Sequence, residues 1–303
     1  MDKLCIIKVV CERKDIYMIK KNHAVRLVLI FTLIMGITSL VIMLSNTLAA
    51  RQTYYITVDP KTIKLIQLDA PKEGDPIAIV DTTLGEYRFV LYPEQSPNAV
   101  ENFTSLAKSG YYNNTYVFHS EDGVYSAAGA PNKDGSANDN SHELVKRELH
   151  QDLWPFKGAV MAMNTTLDKT FKEKLLGGGT YYNGSRFMVL NTVEFNDEFK
   201  KELKEVSESQ QLADAFIKVG GVPNFSQQMT VIGQVYSGLD VVEKLASLET
   251  QDQGDYKFPV EDIMINSVTI STYSEADEKA VTTEKTTAVT TTVTTTAAET
   301  TTK

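Results

Sequence analysis

Residues 85–119 read GEYRFVLYPEQSPNAVENFTSLAKSGYYNNTYVFH, and the fold turns on them. Taken with the residues before it, IAIVDTTLGEYRFVLY (77–92) gives two β-rich stretches joined at a Gly turn, a hairpin signal. Ser96-Pro97 then opens a helix. Val100, Phe103 and Leu106 recur at helical spacing, and Gly110 supplies a stop.

Working outward, short apolar-rich runs continue as expected strands: GAVMAMN (158–164), SRFMVLN (185–191), TVIGQV (230–235) and DIMINSVTIST (262–272). GLDVVEKLASLE (238–249) repeats Val241, Val242, Leu245 and Leu248 as one face of a helix. FNDEFKKELKEVSESQQLADAFIKVGG (195–221) reads as a single charged helix opened by Asn196 or Asp197. This order of elements suits a mainly β barrel or sandwich with helices covering its ends.

Tyr92-Pro93, Val100-Glu101-Asn102-Phe103, Leu106, Gly110-Tyr111-Tyr112 and Phe118-His119 together resemble the opening of a cyclophilin-type peptidyl-prolyl isomerase. MAMN (161–164), NGSRFMV (183–189) and VIGQVYSGLDVVEKL (231–245) are similar to that family's later blocks. The resemblance implies an eight-stranded antiparallel barrel with capping helices over residues 74–273, with insertions at 165–182 and 192–222. It implies a proline-containing polypeptide as substrate, lying extended in a groove on the barrel's outside. Neither cofactor, metal nor covalent intermediate is expected. The barrier to rotation about the amide is about 18–20 kcal/mol. The family lowers it with an arginine that bonds the prolyl nitrogen of the twisted amide, while an apolar pocket holds the proline ring.

At the groove the sequence departs from that pattern. The arginine position after Phe-His is Ser120. Anchored on Gly123 and Gly129, the pocket Phe becomes Val124, the Met becomes Tyr125 and the Gln becomes Ala127. After Asn183-Gly184-Ser185, the family Gln is Arg186 and a second pocket Phe is Met188. Asn164 matches a groove Asn, Asn224-Phe225 stand for Trp-Leu, and Met229 stands for the groove His. His119 sits beside the groove strand. Arg186 is the candidate substitute cation, because its counterpart lines the same groove. Two function classes therefore stay open: an isomerase with a relocated cation, or a binding module on the same scaffold.

The 303 residues carry a net charge of −9, unevenly distributed. Seven basic against three acidic residues put the head, 1–26, at +4 and leave the remainder at −13. So acidic a remainder disfavours nucleic acid, whose binding needs Lys and Arg at the phosphates. Cys5 and Cys11 are the only cysteines, so residues 74–273 hold no disulfide and no thiolate metal site. Leu27–Leu44 is an 18-residue run without charge behind that basic head. It is long enough to span a membrane, with the domain expected on the extracytoplasmic side. Residues 27–50 fit either an uncleaved anchor or an export signal cleaved near Ala49-Ala50. Residues 51–73 read as a linker. Residues 274–303, with 13 Thr between 282 and 303, read as a disordered tail.

Overall fold

The computed structural model describes residues 26, 28, 30–45, 55–136, 143–166, 180–253 and 256–279. Contacts divide the chain into two units, residues 1–53 with 169–179, and residues 54–168 with 180–303. In the first unit the described residues 30–45 are a continuous helix, exposed throughout. Among the described residues no helix is long and apolar enough to cross a membrane, so the expected spanning helix over 27–50 is not met there. The basic head before residue 26, the Thr-rich run 282–303 and most of the insertion 165–182 lie outside the described residues.

The larger unit is a barrel. Its strands are β1 (Pro76–Thr82), β2 (Gly85–Leu91), β3 (Thr115–Glu121), β4 (Tyr125–Ala130), β5 (Val145–Lys146), β6 (Ala159–Thr166), β7 (Tyr181–Leu190), β8 (Thr230–Ser237), β9 (Thr250–Gln253), β10 (Tyr256–Pro259) and β11 (Met264–Thr272). The order β4-β3-β11-β1-β2-β8-β6-β7 is closed by pairing of β4 with β7, so eight antiparallel strands form the barrel. Closure leaves no unpaired edge within the ring. Two-residue β5 adds to β7 beside it, and β9–β10 form a separate hairpin.

The helices are α1 (Pro97–Lys108), α2 (Asp197–Val206), α3 (Gln210–Val219) and α4 (Leu239–Ala246). As the spacing predicts, α1 buries Val100, Phe103 and Leu106, and α4 buries Val241, Val242 and Leu245, all in the barrel's interior cluster. Phe103 packs its ring against Phe89, Tyr112 and Phe187 at 5.1–5.6 Å between centroids. Truncating such a residue to Ala costs about 3–5 kcal/mol.

The single helix expected over 195–221 is two. Asn196 caps α2 by accepting the N–H of Phe199, and Ser209 caps α3 by accepting that of Leu212. A new cap restarts the helix because its side chain satisfies donors that a first turn leaves orphaned. No residue of α2 is buried, whereas α3 buries Leu212 and Phe216 against Ile63, Trp154 and Phe156. Residues 55–73, expected as a linker, are thus packed on the barrel. Gln67 is buried there and bonds both the N–H and the C=O of Trp154. The chain after β11 also packs: Glu278 meets Arg88 at 2.7 Å and accepts the Tyr236 hydroxyl at 2.9 Å.

Candidate functional site

Strand β3 decides which side chains reach the outer face. Its register with β4 runs Val117 to Ala128, then His119 to Ala127, so two residues oppose one. Such a bulge reverses the inside–outside alternation of every later side chain. Val117 lies in the interior cluster and Phe118 in the outer one. His119 then faces outward beside Tyr125 and Tyr256.

Ser120 consequently turns inward. It is fully buried, and its Oγ donates to the carbonyl of Leu245 at 2.9 Å. It fastens the end of α4 and is not a groove residue, contrary to the expectation from its sequence position.

The outer face has an apolar floor of Phe118, Ala127, Met161, Met188 and Val231, all buried. Half-buried Val124, Tyr125, Met163, Phe225, Met229 and Tyr256 pack over it. The rings of Tyr125 and Phe225 meet edge-on at 5.6 Å. The floor itself is covered, so the surface offered outward is largely aromatic. The loop carrying Phe225 and Met229 is tied down on three sides. Asn164 Nδ2 and Arg147 Nη1 donate to the Gln228 carbonyl at 2.7 and 2.9 Å, and the Ile56 N–H donates to Gln227 Oε1 at 2.8 Å. Asn164 thus holds this loop. Asn224 is exposed, outside the cluster.

Electrostatics settle the state of His119. Its Nδ1 accepts the Lys257 N–H at 2.8 Å, so that nitrogen carries no proton. The neutral ring must then carry its proton on Nε2, which donates to Tyr125 Oη at 3.1 Å. Burial lowers the His119 pKa; nearby Glu121 opposes this and Lys257 adds to it. His119 is therefore neutral at pH 7. Burial, then Glu121 and Tyr256, raise the Tyr125 pKa, which keeps the phenol protonated.

Arg186 shares the outer side of β7 with Met188 by strand alternation. Its Nη1 donates to the Gly135 carbonyl and to the Tyr256 hydroxyl, both at 3.2 Å. It clamps the loop after β4 to strand β10.

His119, Val124, Tyr125, Ala127, Met188, Phe225 and Met229 are thus brought to one face, with Arg186 and Asn164 on the surrounding strands. Tyr256, Phe118, Met161 and Met163 join them without having been expected. The Gly254-Asp255 pair between β9 and β10 is a hairpin signal that points to the segment bearing Tyr256. Among the described residues no group of three or more His, Cys, Asp or Glu could hold a metal ion.

Comparison with known proteins fixes the ancestry. Residues 77–270 match the family model described as cyclophilin type peptidyl-prolyl cis-trans isomerase/CLD. The chain belongs to this family. A relative from Staphylococcus saprophyticus, named as a peptidyl-prolyl cis-trans isomerase, is 27% identical over 206 residues, covering 67% of this chain and 96% of that protein. A Streptococcus pyogenes protein named as a bifunctional phosphatase and peptidyl-prolyl cis-trans isomerase is 27% identical over 214 residues. The match covers 69% of this chain and 42% of that longer protein. The crystal structure of a Cryptosporidium parvum cyclophilin-type isomerase is similar at 19% identity and a TM-score of 0.47, covering 66% of this chain and 99% of its own.

Proposed function

We propose that this cyclophilin-family chain binds X-Pro segments of polypeptides along the face of Tyr125, Phe225 and Tyr256 and accelerates their cis–trans exchange. The observation that carries the reading is that aromatic surface, set on a Met-rich floor on the barrel's outside. Aromatic-lined grooves suit proline because its ring is apolar and its backbone is already restricted. A half-buried ring surface takes a pyrrolidine ring without displacing the floor.

A second reading, binding without isomerisation, is favoured by a specific observation. Ser120 points inward, His119 is neutral, and one guanidinium nitrogen of Arg186 is spent on Gly135 and Tyr256. Exchange NMR on an Ala-Pro-containing peptide separates the two. The uncatalysed process takes tens to hundreds of seconds. Catalytic amounts of the full chain should shorten it; unchanged exchange with peptide resonances still shifting on titration would support the binding module instead.

We further propose that the domain works outside the cytoplasm on exported polypeptides and assists their folding. The charge-free run Leu27–Leu44 behind a basic head supports export, with either a retained anchor or a cleaved signal. Protease added to intact cells should degrade the domain; full protection until lysis would refute this placement.

A further inference from the structure

The isomerase reading requires a donor that meets the amide nitrogen as it twists. Twisting takes the C–N bond out of resonance and returns a lone pair to the prolyl nitrogen. That nitrogen becomes a hydrogen-bond acceptor in the transition state and is a poor one in the planar ground state. A donor placed there therefore lowers the barrier selectively.

Resting on that reading, we propose that the Tyr125 hydroxyl, oriented by His119, is the hydrogen-bond donor to the prolyl nitrogen. Three features of the site converge on it. First, the Lys257 N–H fixes His119 as an Nε2–H donor, so Tyr125 Oη accepts on that side. The hydroxyl's own proton must point elsewhere, and among the described residues it meets no acceptor. Second, Tyr125 pairs with Glu121, while His119 pairs with Ala127 two positions along β4. The Tyr125–His119 bond is thus a diagonal contact on one face. It is possible because residue 127 presents only a methyl group where a longer side chain would stand. Third, the Phe225 ring meets the Tyr125 ring at 5.6 Å between centroids, an apolar wall beside the tyrosine for the pyrrolidine ring.

Ser120, Tyr125 and Ala127 then fit one arrangement. The serine leaves the face through the β3 bulge, the alanine opens room, and the tyrosine fills it with a neutral donor. A neutral donor does not need the desolvation of a buried charge. Its effect is smaller than the 10²–10³ of an oxyanion-hole donor, because the acceptor nitrogen carries no formal charge.

The test compares the full wild-type chain with Tyr125→Phe by exchange NMR and by peptide titration. The expected result is a loss of about tenfold or more in exchange rate with peptide affinity held within about twofold. A Tyr125→Phe rate equal to wild type overturns the donor assignment and leaves the isomerase reading intact. Absence of acceleration by wild type overturns both. Site-specific replacement of Tyr125 by a fluorotyrosine keeps the ring and the hydroxyl but makes the phenol more acidic. The rate should rise with that acidity, which a structural tyrosine would not produce; an unchanged rate overturns the proposal even if the phenylalanine variant does not fold.

Discussion

Replacing Glu278 by Ala tests whether the chain beyond β11 is part of the folded unit. Glu278 Oε1 lies 2.7 Å from Arg88 Nη1 and accepts the Tyr236 hydroxyl at 2.9 Å. The two charged side chains are 11% and 17% exposed, so water replaces little of what is lost. Breaking a buried pair by removing one partner costs about 3–5 kcal/mol. Here Arg88 keeps Glu86 at 2.8 Å, which cuts the charge penalty by roughly half. Tyr236 loses its acceptor as well, at about 1 kcal/mol. The sum is about 2.5–3.5 kcal/mol, or some 5–14 °C in Tm for a domain of this size. Urea denaturation of the full chain should show a lower midpoint with an unchanged slope. Glu278→Gln should cost less, because its carbonyl still accepts from both donors. A Glu278→Ala midpoint equal to wild type would refute the packed C-terminal segment.

Two further outcomes follow from buried polar groups. Gln67→Leu should destabilise by about 2–4 kcal/mol, since it strands the Trp154 N–H and the Gln234 Oε1 that Gln67 bonds at 2.5 and 2.9 Å, while the Trp154 carbonyl keeps the Phe156 N–H; an unchanged melting temperature would mean that residues 55–73 merely rest on the barrel. His119 gives a pH signature whose sign is fixed by burial, which lowers its pKa in the folded state. Below the unfolded value of about 6.5 the unfolded chain takes up a proton that the native ring resists. Stability should therefore fall as pH drops from about 6.5 through the lowered folded pKa. Comparing denaturation midpoints of wild type and His119→Gln between about pH 7.5 and 5.5 isolates this contribution from Glu121 and Lys257 nearby; parallel pH profiles would contradict it.

The barrel was legible because its signals are local. Val100, Phe103 and Leu106 mark one helix face, and the 77–92 stretch carries its own turn. The strand blocks then fix the barrel's family through their order. What failed to read depends on contacts between distant residues. Ile63 and Gln67 lie in a segment without periodicity and are buried only because Trp154 and α3 lie against them. The break between α2 and α3 rests on Ser209, one polar residue among many in SESQQ, and only its bond to the Leu212 N–H distinguishes it as a cap.

Counting along the chain puts Ser120 in the groove, and a bulge one residue upstream turns it to the interior. Register is a property of the pair of strands, so β3 alone does not disclose it. The role of His119 was hidden for the same reason. Its tautomer is set by a backbone N–H 138 residues away.

The most direct test of the central claim, that X-Pro segments dock on the outer aromatic face, uses methionine methyl NMR. Met161, Met163, Met188 and Met229 all lie in that cluster, whereas Met35, Met43 and Met264 do not. Titrating the full chain with an Ala-Pro peptide should shift the methyls of Met163, Met188 and Met229. An Ala-Gly peptide of otherwise identical sequence should leave them in place. Shifts confined to methionines outside the cluster, or equal shifts with both peptides, would contradict the account.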